Sequence, residues 1–225
     1  MIRRLALTLL ALLALAAPAT AQKAQDWSKT VTLAPNGAFV LGNPKAPTRL
    51  VEYMSYTCPH CGHFQAEAGE GLKAQWIRRG LVALEYRNFV RDAFDLSAAL
   101  LARCGGAAKF LGNHEALFAN QEAWFKQAES LDPAATQGQE RVAALTIIGD
   151  KTGLFALLAK RGLTPAAQRA CIADKAVMDT VLKLTAGAQE IKDFTGTPFF
   201  IVNGKPLADV HDWAGLQPLL PALPR

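Results

Sequence analysis

The 225-residue sequence predicts an α/β fold, a mixed sheet flanked by helices with an all-helical subdomain inserted in it. Three observations carry this. A strand–helix–strand unit runs from about Thr48 to Phe89. A stretch of about 100 residues, Ala93 to Phe194, is helical in pattern almost without relief. Strand character then returns at "GTPFFIVNGKPLA", before one last helix from about Trp213 to Leu220.

The chain opens "MIRRLALTLLALLALAAPATAQKAQDW". Arg3 and Arg4 form a short basic region, and Leu5 to Ala17 is apolar apart from Thr8. Ala19-Thr20-Ala21 is a small-x-small cleavage pattern, so residues 1–21 read as a secretory signal peptide cut after Ala21. The apolar run is shorter than the roughly 20 residues a membrane span needs. Export places the remaining 204 residues in an oxidising compartment, where disulfides persist. A chain of that length builds a sizeable core without disulfides, so the 4 cysteines need not serve folding. Residues 22–47 read as an N-terminal arm, with a short edge strand in "KTVTLAP" and a turn-rich "NGAFVLGNPKAP". "TRLVEYMSY" reads as a buried strand interrupted by the charge of Glu52. "CPHCGHFQAEAGEGLKAQWIRRG" reads as a helix with an apolar stripe of Phe64, Ala68, Leu72, Trp76 and Ile77, closed by Gly80. "LVALEYRNF" is the second central strand.

In the helical block, Asp132-Pro133 and Thr164-Pro165 look like helix starts, with proline in the first turn. Asn203-Gly204 is a hairpin signal between two strands. The net charge is +5, and loss of Arg3 and Arg4 leaves +3. Basic residues are scattered, as at Arg78-Arg79, Lys109, Lys160-Arg161 and Lys183, so they read as solvated faces and no nucleic-acid partner is expected.

The chemistry concentrates in "YMSYTCPHCGHF". A thiol exchanges disulfides only as thiolate. Cys58 lies at a strand-to-helix junction with Pro59 at the first helical position, where proline has no N–H to lose. The free N–H groups of the first turn and the helix dipole then face its sulfur. His60 adds positive charge or a hydrogen bond when protonated. Cys61, one turn on, suits the resolving role. Two other readings stand beside this one. A lone C-x-x-C is half a zinc site, with His60 or His63 as further ligands. Zinc sites usually bring a second close pair, whereas Cys104, Cys171, His114 and His211 are each isolated in sequence. A purely structural disulfide across two residues would constrain little chain entropy. No metal or cofactor is assigned. Downstream, Thr197-Pro198 opens a strand, and proline is tolerated in strands at their start or at an edge. A cis bond there would place a tight turn, which composition alone leaves open.

Taken together, "VEYMSYTCPHC", the helical insertion and "GTPFFIVNGK" resemble the thioredoxin-fold disulfide oxidoreductases, specifically the periplasmic DsbA family, over Arg49 to Leu220. The resemblance implies a thioredoxin-like domain from residues 48–92 and 194–225, with 93–193 as the inserted helical subdomain. It implies Cys58 as the reactive nucleophile, Cys61 as the resolving thiol, and Pro59 and His60 as tuning residues. Pro198 becomes a cis-proline facing the motif and binding substrate, together with Thr197. Glu52 matches a buried acid six residues before the first cysteine, with a role in proton handling at Cys61; a satisfied strand carboxylate is the plainer alternative.

The implied activity is that of a thiol–disulfide oxidase. It would oxidise reduced exported proteins in the periplasm and be reoxidised by a DsbB-type, quinone-linked membrane protein. Two departures are present. Thr197 stands where the best-studied oxidases carry valine and is shared with isomerase-like members. The second is the extra pair, Cys104 and Cys171, expected to form a structural disulfide in an oxidising compartment, with two buried free thiols as the alternative. A disulfide isomerase or reductase is the competing activity. The roughly 25 residues between the cleavage site and the first central strand are too few for a dimerisation domain, so a monomer is expected. A copper- or zinc-binding assembly factor is the alternative from another class.

Overall fold

The computed structural model describes residues 25–223, so the leader expected over residues 1–21 lies outside the described residues. In chain order the elements are β1 (Val31–Leu33), β2 (Phe39–Leu41), β3 (Thr48–Met54), α1 (Pro59–Leu72) and β4 (Val82–Asn88). The helical block follows as α2 (Ala93–Ala102), α3 (Ala107–Ala119), α4 (Gln121–Glu129), α5 (Arg141–Lys151), α6 (Leu154–Ala159), α7 (Pro165–Ala173) and α8 (Lys175–Gln189). β5 (Phe199–Val202), β6 (Lys205–Leu207) and α9 (Trp213–Leu216) close the chain.

Among the described residues, six strands form one sheet in the order β1-β2-β4-β3-β5-β6. β3 and β4 are parallel, joined by α1, with Leu50 opposite Leu84 and Glu52 opposite Tyr86. The other pairings are antiparallel. Two central strands covered on both faces must be apolar on both faces. Leu50 and Met54 of β3 pack with Phe64 and Leu72 of α1 and with Leu84 and Phe200. Val51 and Tyr53, pointing the other way, pack with Phe199 and with Ala188 of α8. This sheet with its helical insertion is a thioredoxin fold.

Three segments differ from the sequence expectation. The turn-rich part of the arm contains β2, fully buried and paired antiparallel with β4. Three apolar residues bounded by turns are too short to announce a strand by periodicity, and the partner strand defines it. The helix expected to run to Gly80 gives way after Leu72 to a π-helical turn, Lys73–Ile77, with Trp76 and Ile77 both in the core. Asp132-Pro133 starts only a short 3₁₀ turn, Pro133–Ala135. At Thr164 the side chain does accept a hydrogen bond from the Ala167 N–H, capping α7. Asn203 and Gly204 both take positive φ, 49° and 82°, at the tight turn between β5 and β6. The outermost strands are short, and β6 carries Pro206 and an exposed Lys205. Among the described residues no helix is long and apolar enough to cross a membrane.

Candidate active site

The end of β3 is fixed from below. Asp95, in the first turn of α2, is buried and accepts from Ser55 Oγ at 2.6 Å, Tyr56 N at 2.8 Å and Arg91 N at 3.1 Å. Asp92 caps the same helix by accepting from Asp95 N at 2.8 Å, and its other oxygen takes the Thr57 hydroxyl. Tyr56 turns inward, its hydroxyl 3.0 Å from Nδ1 of His114. Burial pushes His114 down to about 3, so its ring is neutral among Tyr86, Phe110 and Phe118. From α4, Gln121 Nε2 donates to the carbonyls of Tyr56 (2.8 Å) and Cys58 (2.9 Å). A Cβ on Gly62 would meet the Gln121 amide and push that side chain off the two carbonyls, so glycine here leaves the amide its place. The loop Ser55–Thr57 is thus held by α2, α3 and α4 before the first cysteine is reached.

Cys58 is the N-cap of α1, extended at φ −87° and ψ 117°, with Pro59 next. Cys58 as a residue is 4% exposed, and Cys61 is fully buried. Both thiols are free. As a thiol, Cys58 donates to the Thr197 carbonyl at 3.1 Å. As a thiolate it is held first by a hydrogen bond from the Cys61 thiol, then by Thr197 and by the backbone N–H groups of Cys61 and His60. Against the opposing cost of burial, these bring it down to about 5. Cys61 moves the other way: burial, the neighbouring Cys58 sulfur and the Glu52 carboxylate push it well above the ordinary thiol range. His60 contributes through its backbone N–H while its side chain is exposed.

Glu52 lies beneath this pair, fully buried on β3. Gln65 of α1 donates to its two oxygens at 3.3 and 3.2 Å. Burial outweighs that support and raises Glu52 to about 8. When charged, this carboxyl adds to the burial that holds the Cys61 proton in place.

The Thr197–Pro198 bond is cis. Gly196 precedes it at φ 133°, a conformation open to glycine, and the segment comes down on Cys58. The structure therefore gathers Cys58, Pro59, His60, Cys61, Glu52, Thr197 and Pro198 at one end of the central strands. Cys104 and Cys171 lie elsewhere, joined by a disulfide between the C-terminal end of α2 and α7, with Cα atoms 5.6 Å apart. Among the described residues no three His, Cys, Asp or Glu side chains gather about one ion-sized space.

Sequence reasoning passed over Asp95, Gln65, Gln121 and His211. Asp92-x-x-Asp95 is a helix-start pattern, and it was legible. The two glutamines carry no such mark, since they act through contacts 13 and 65 residues distant in sequence.

Fold and site together define a thioredoxin-fold protein that sets a C-x-x-C dithiol at a helix start against a cis-proline. The chain belongs to the thioredoxin family: the family model described as Thioredoxin matches residues 35–222. A curated relative from Rickettsia typhi (strain ATCC VR-144 / Wilmington), named "Putative protein-disulfide oxidoreductase", is 31% identical over 75% of this chain and 56% of its own length. The chain spans little more than half the length of the curated relatives it matches. The crystal structure of a protein-disulfide isomerase from Novosphingobium aromaticivorans aligns at a TM-score of 0.75 and 34% identity, covering 80% of this chain and 93% of that one. That of Wolbachia pipientis alpha-DsbA1 aligns at a TM-score of 0.66 and 24% identity, over 83% and 89%, a likeness of fold.

Proposed function

We propose that the protein is a thiol–disulfide oxidoreductase working as an oxidase, donating a Cys58–Cys61 disulfide to reduced exported proteins in the periplasm. The observation that carries this reading is the placement of the two sulfurs, Cys58 at the N-cap of α1 against Thr197 and Cys61 fully buried one turn on, which draws the first thiol down to about 5 and pushes the second well up. A dithiol whose first sulfur is a stable thiolate favours its reduced form, and its disulfide is correspondingly oxidising.

In the reaction a substrate thiolate attacks the Cys58 sulfur of the disulfide, and Cys61 leaves and takes up a proton, with Glu52 as its neighbouring acid. The substrate's second thiolate then attacks its own sulfur in the mixed disulfide, and Cys58 leaves as thiolate. The substrate has lost two electrons and the C-x-x-C pair has gained them. A DsbB-type, quinone-linked membrane protein returns the pair to the disulfide. Thr197 and Pro198 form the platform for the substrate chain, and the protein acts as a monomer.

The test is the equilibrium potential of Cys58/Cys61 against glutathione. An oxidising value is expected, and a thioredoxin-like reducing value overturns the oxidase reading. A second reading, isomerase, is favoured by the name of the Novosphingobium aromaticivorans protein and by Thr197. Efficient rescue of scrambled ribonuclease would select it.

A further inference from the structure

Pro198 is held from a side that the dithiol does not reach. His211, in the link between β6 and α9, places Nδ1 2.9 Å from the Pro198 carbonyl oxygen. Its Nε2 lies 3.2 Å from Thr195 Oγ1, which is also 3.2 Å from the Ala208 carbonyl. We propose that His211 is a positioning residue for disulfide exchange, clamping the Pro198 carbonyl so that the cis-proline segment keeps its place over Cys58 in every redox state. This rests on the oxidoreductase reading above and adds a residue to it.

The argument begins with what each partner can do. A carbonyl oxygen only accepts, so the bond to Pro198 requires a proton on Nδ1. In the neutral ring, Nε2 is then an acceptor, and the Thr195 hydroxyl donates to it. In the charged ring, Nε2 donates to Thr195 Oγ1, and the hydroxyl turns to the Ala208 carbonyl. Both states are satisfied, and the Nδ1 bond to Pro198 survives in each. The neighbouring acid Asp212 is engaged elsewhere, its carboxylate accepting from Gly215 N at 2.8 Å as the cap of α9.

The other hold on the segment is conditional. Cys58 donates to the Thr197 carbonyl only while it carries a proton. As a thiolate, in the disulfide, and in a mixed disulfide with substrate, it has no S–H to give. The thiolate still meets Thr197, but in the disulfide and the mixed disulfide the His211 bond, beside the β5 pairing that begins at Phe199, is what holds Pro198. Loop entropy makes such a restraint matter: Gly196 takes φ 133° immediately before Thr197, and Thr197 and Pro198 lie outside the ladder, which starts only at Phe199.

The test compares wild type with His211→Leu and His211→Asn, because the asparagine amide offers an N–H near the place of Nδ1. Two probes are used on the oxidised protein: a dithiol peptide, which lies along the cis-proline segment, and reduced glutathione, which attacks the disulfide with little use of it. For His211→Leu, kcat/KM toward the peptide should fall roughly 3- to 10-fold, mainly through KM, while the glutathione rate stays within about 2-fold. His211→Asn should recover most of the loss. The ¹⁵N spectrum of wild type should show the proton on Nδ1 in the neutral ring, a readout that needs no variant to fold. An unchanged peptide kcat/KM in His211→Leu overturns the proposal, as do an equal fall with both probes, an asparagine as impaired as leucine, or a neutral ring protonated on Nε2. A wild type inactive toward the peptide overturns the oxidoreductase reading itself.

Discussion

Cys58 and Cys61 sit one helical turn apart and hold their protons in opposite ways, because one sulfur faces the N–H groups of a helix start and the other is sunk among apolar groups and a carboxylate. The absorbance of the reduced protein near 240 nm should therefore rise in one step at a pH of about 5, from Cys58 alone. Cys58→Ser should abolish that step, and Cys61→Ala should move it upward by removing the hydrogen bond that contributes most to it. Glu52 supplies a second prediction, with its own sign. Its folded value of about 8 stands above its ordinary 4.5, so between those values the folded protein holds a proton that the unfolded chain has lost. Its contribution to stability is complete below about pH 4.5 and is lost as the pH rises through 8. In the oxidised protein, where the thiols do not titrate and the Cys58 charge that helps raise Glu52 is gone, burial still raises it, so Glu52→Gln should be more stable than wild type by roughly 2–4 kcal/mol at pH 8 and nearly equal to it at pH 5. Denaturant titrations at the two pH values measure this; an equal gap at both would mean that Glu52 is charged throughout.

Elements position these residues more firmly than their own propensities would. α1 carries Gly62, Gly69 and Gly71, poor helix formers, and is held by the burial of Phe64, Ala68 and Leu72 and by Gln121 reaching over from α4. Gly62→Ala would displace the Gln121 amide from two backbone carbonyls. A loss of about 1–3 kcal/mol is expected, together with slower exchange at Cys58. In a Gln121→Ala background the same change should cost distinctly less, and additive costs would disconnect the two positions. This is also the scale at which sequence reading divides. β3, α1, β4 and the Asn203-Gly204 hairpin were legible because each has a local cause: a buried apolar run, a proline at N1, a turn needing positive φ. β2 was not, since Phe39, Val40 and Leu41 become a strand only when β4 lies beside them. The π-helical turn after Leu72 was hidden too, because its cause is the demand of the core for both Trp76 and Ile77.

On the scale of the molecule, the helical block is a single insertion between β4 and β5, and the Cys104–Cys171 disulfide ties its second-to-last helix, α7, back to its first, α2. The bridge closes 67 residues of chain, so chain entropy alone gives it roughly 4 kcal/mol. The double variant Cys104→Ser/Cys171→Ser should lose about that much in denaturant titration while keeping the Cys58 titration unchanged; a shift there would mean that the insertion tunes the site. The site itself was legible in outline, since a proline, two cysteines and a strand-to-helix junction are neighbours in sequence. Its supports were not: Gln121 and His211 carry no local mark, and Asp95, legible only as part of a helix start, meets the loop before Cys58 only in the folded molecule. The borders of the sheet bear on the company such a protein keeps. A protein that handles chains before they fold is surrounded by polypeptide looking for a strand to pair with. Here one border is three residues long, and the other carries a proline, with no N–H to offer, beside an exposed lysine. Extended chains find little there to pair with, which under the proposed function would let the molecule meet unfolded substrates without seeding their aggregation on itself.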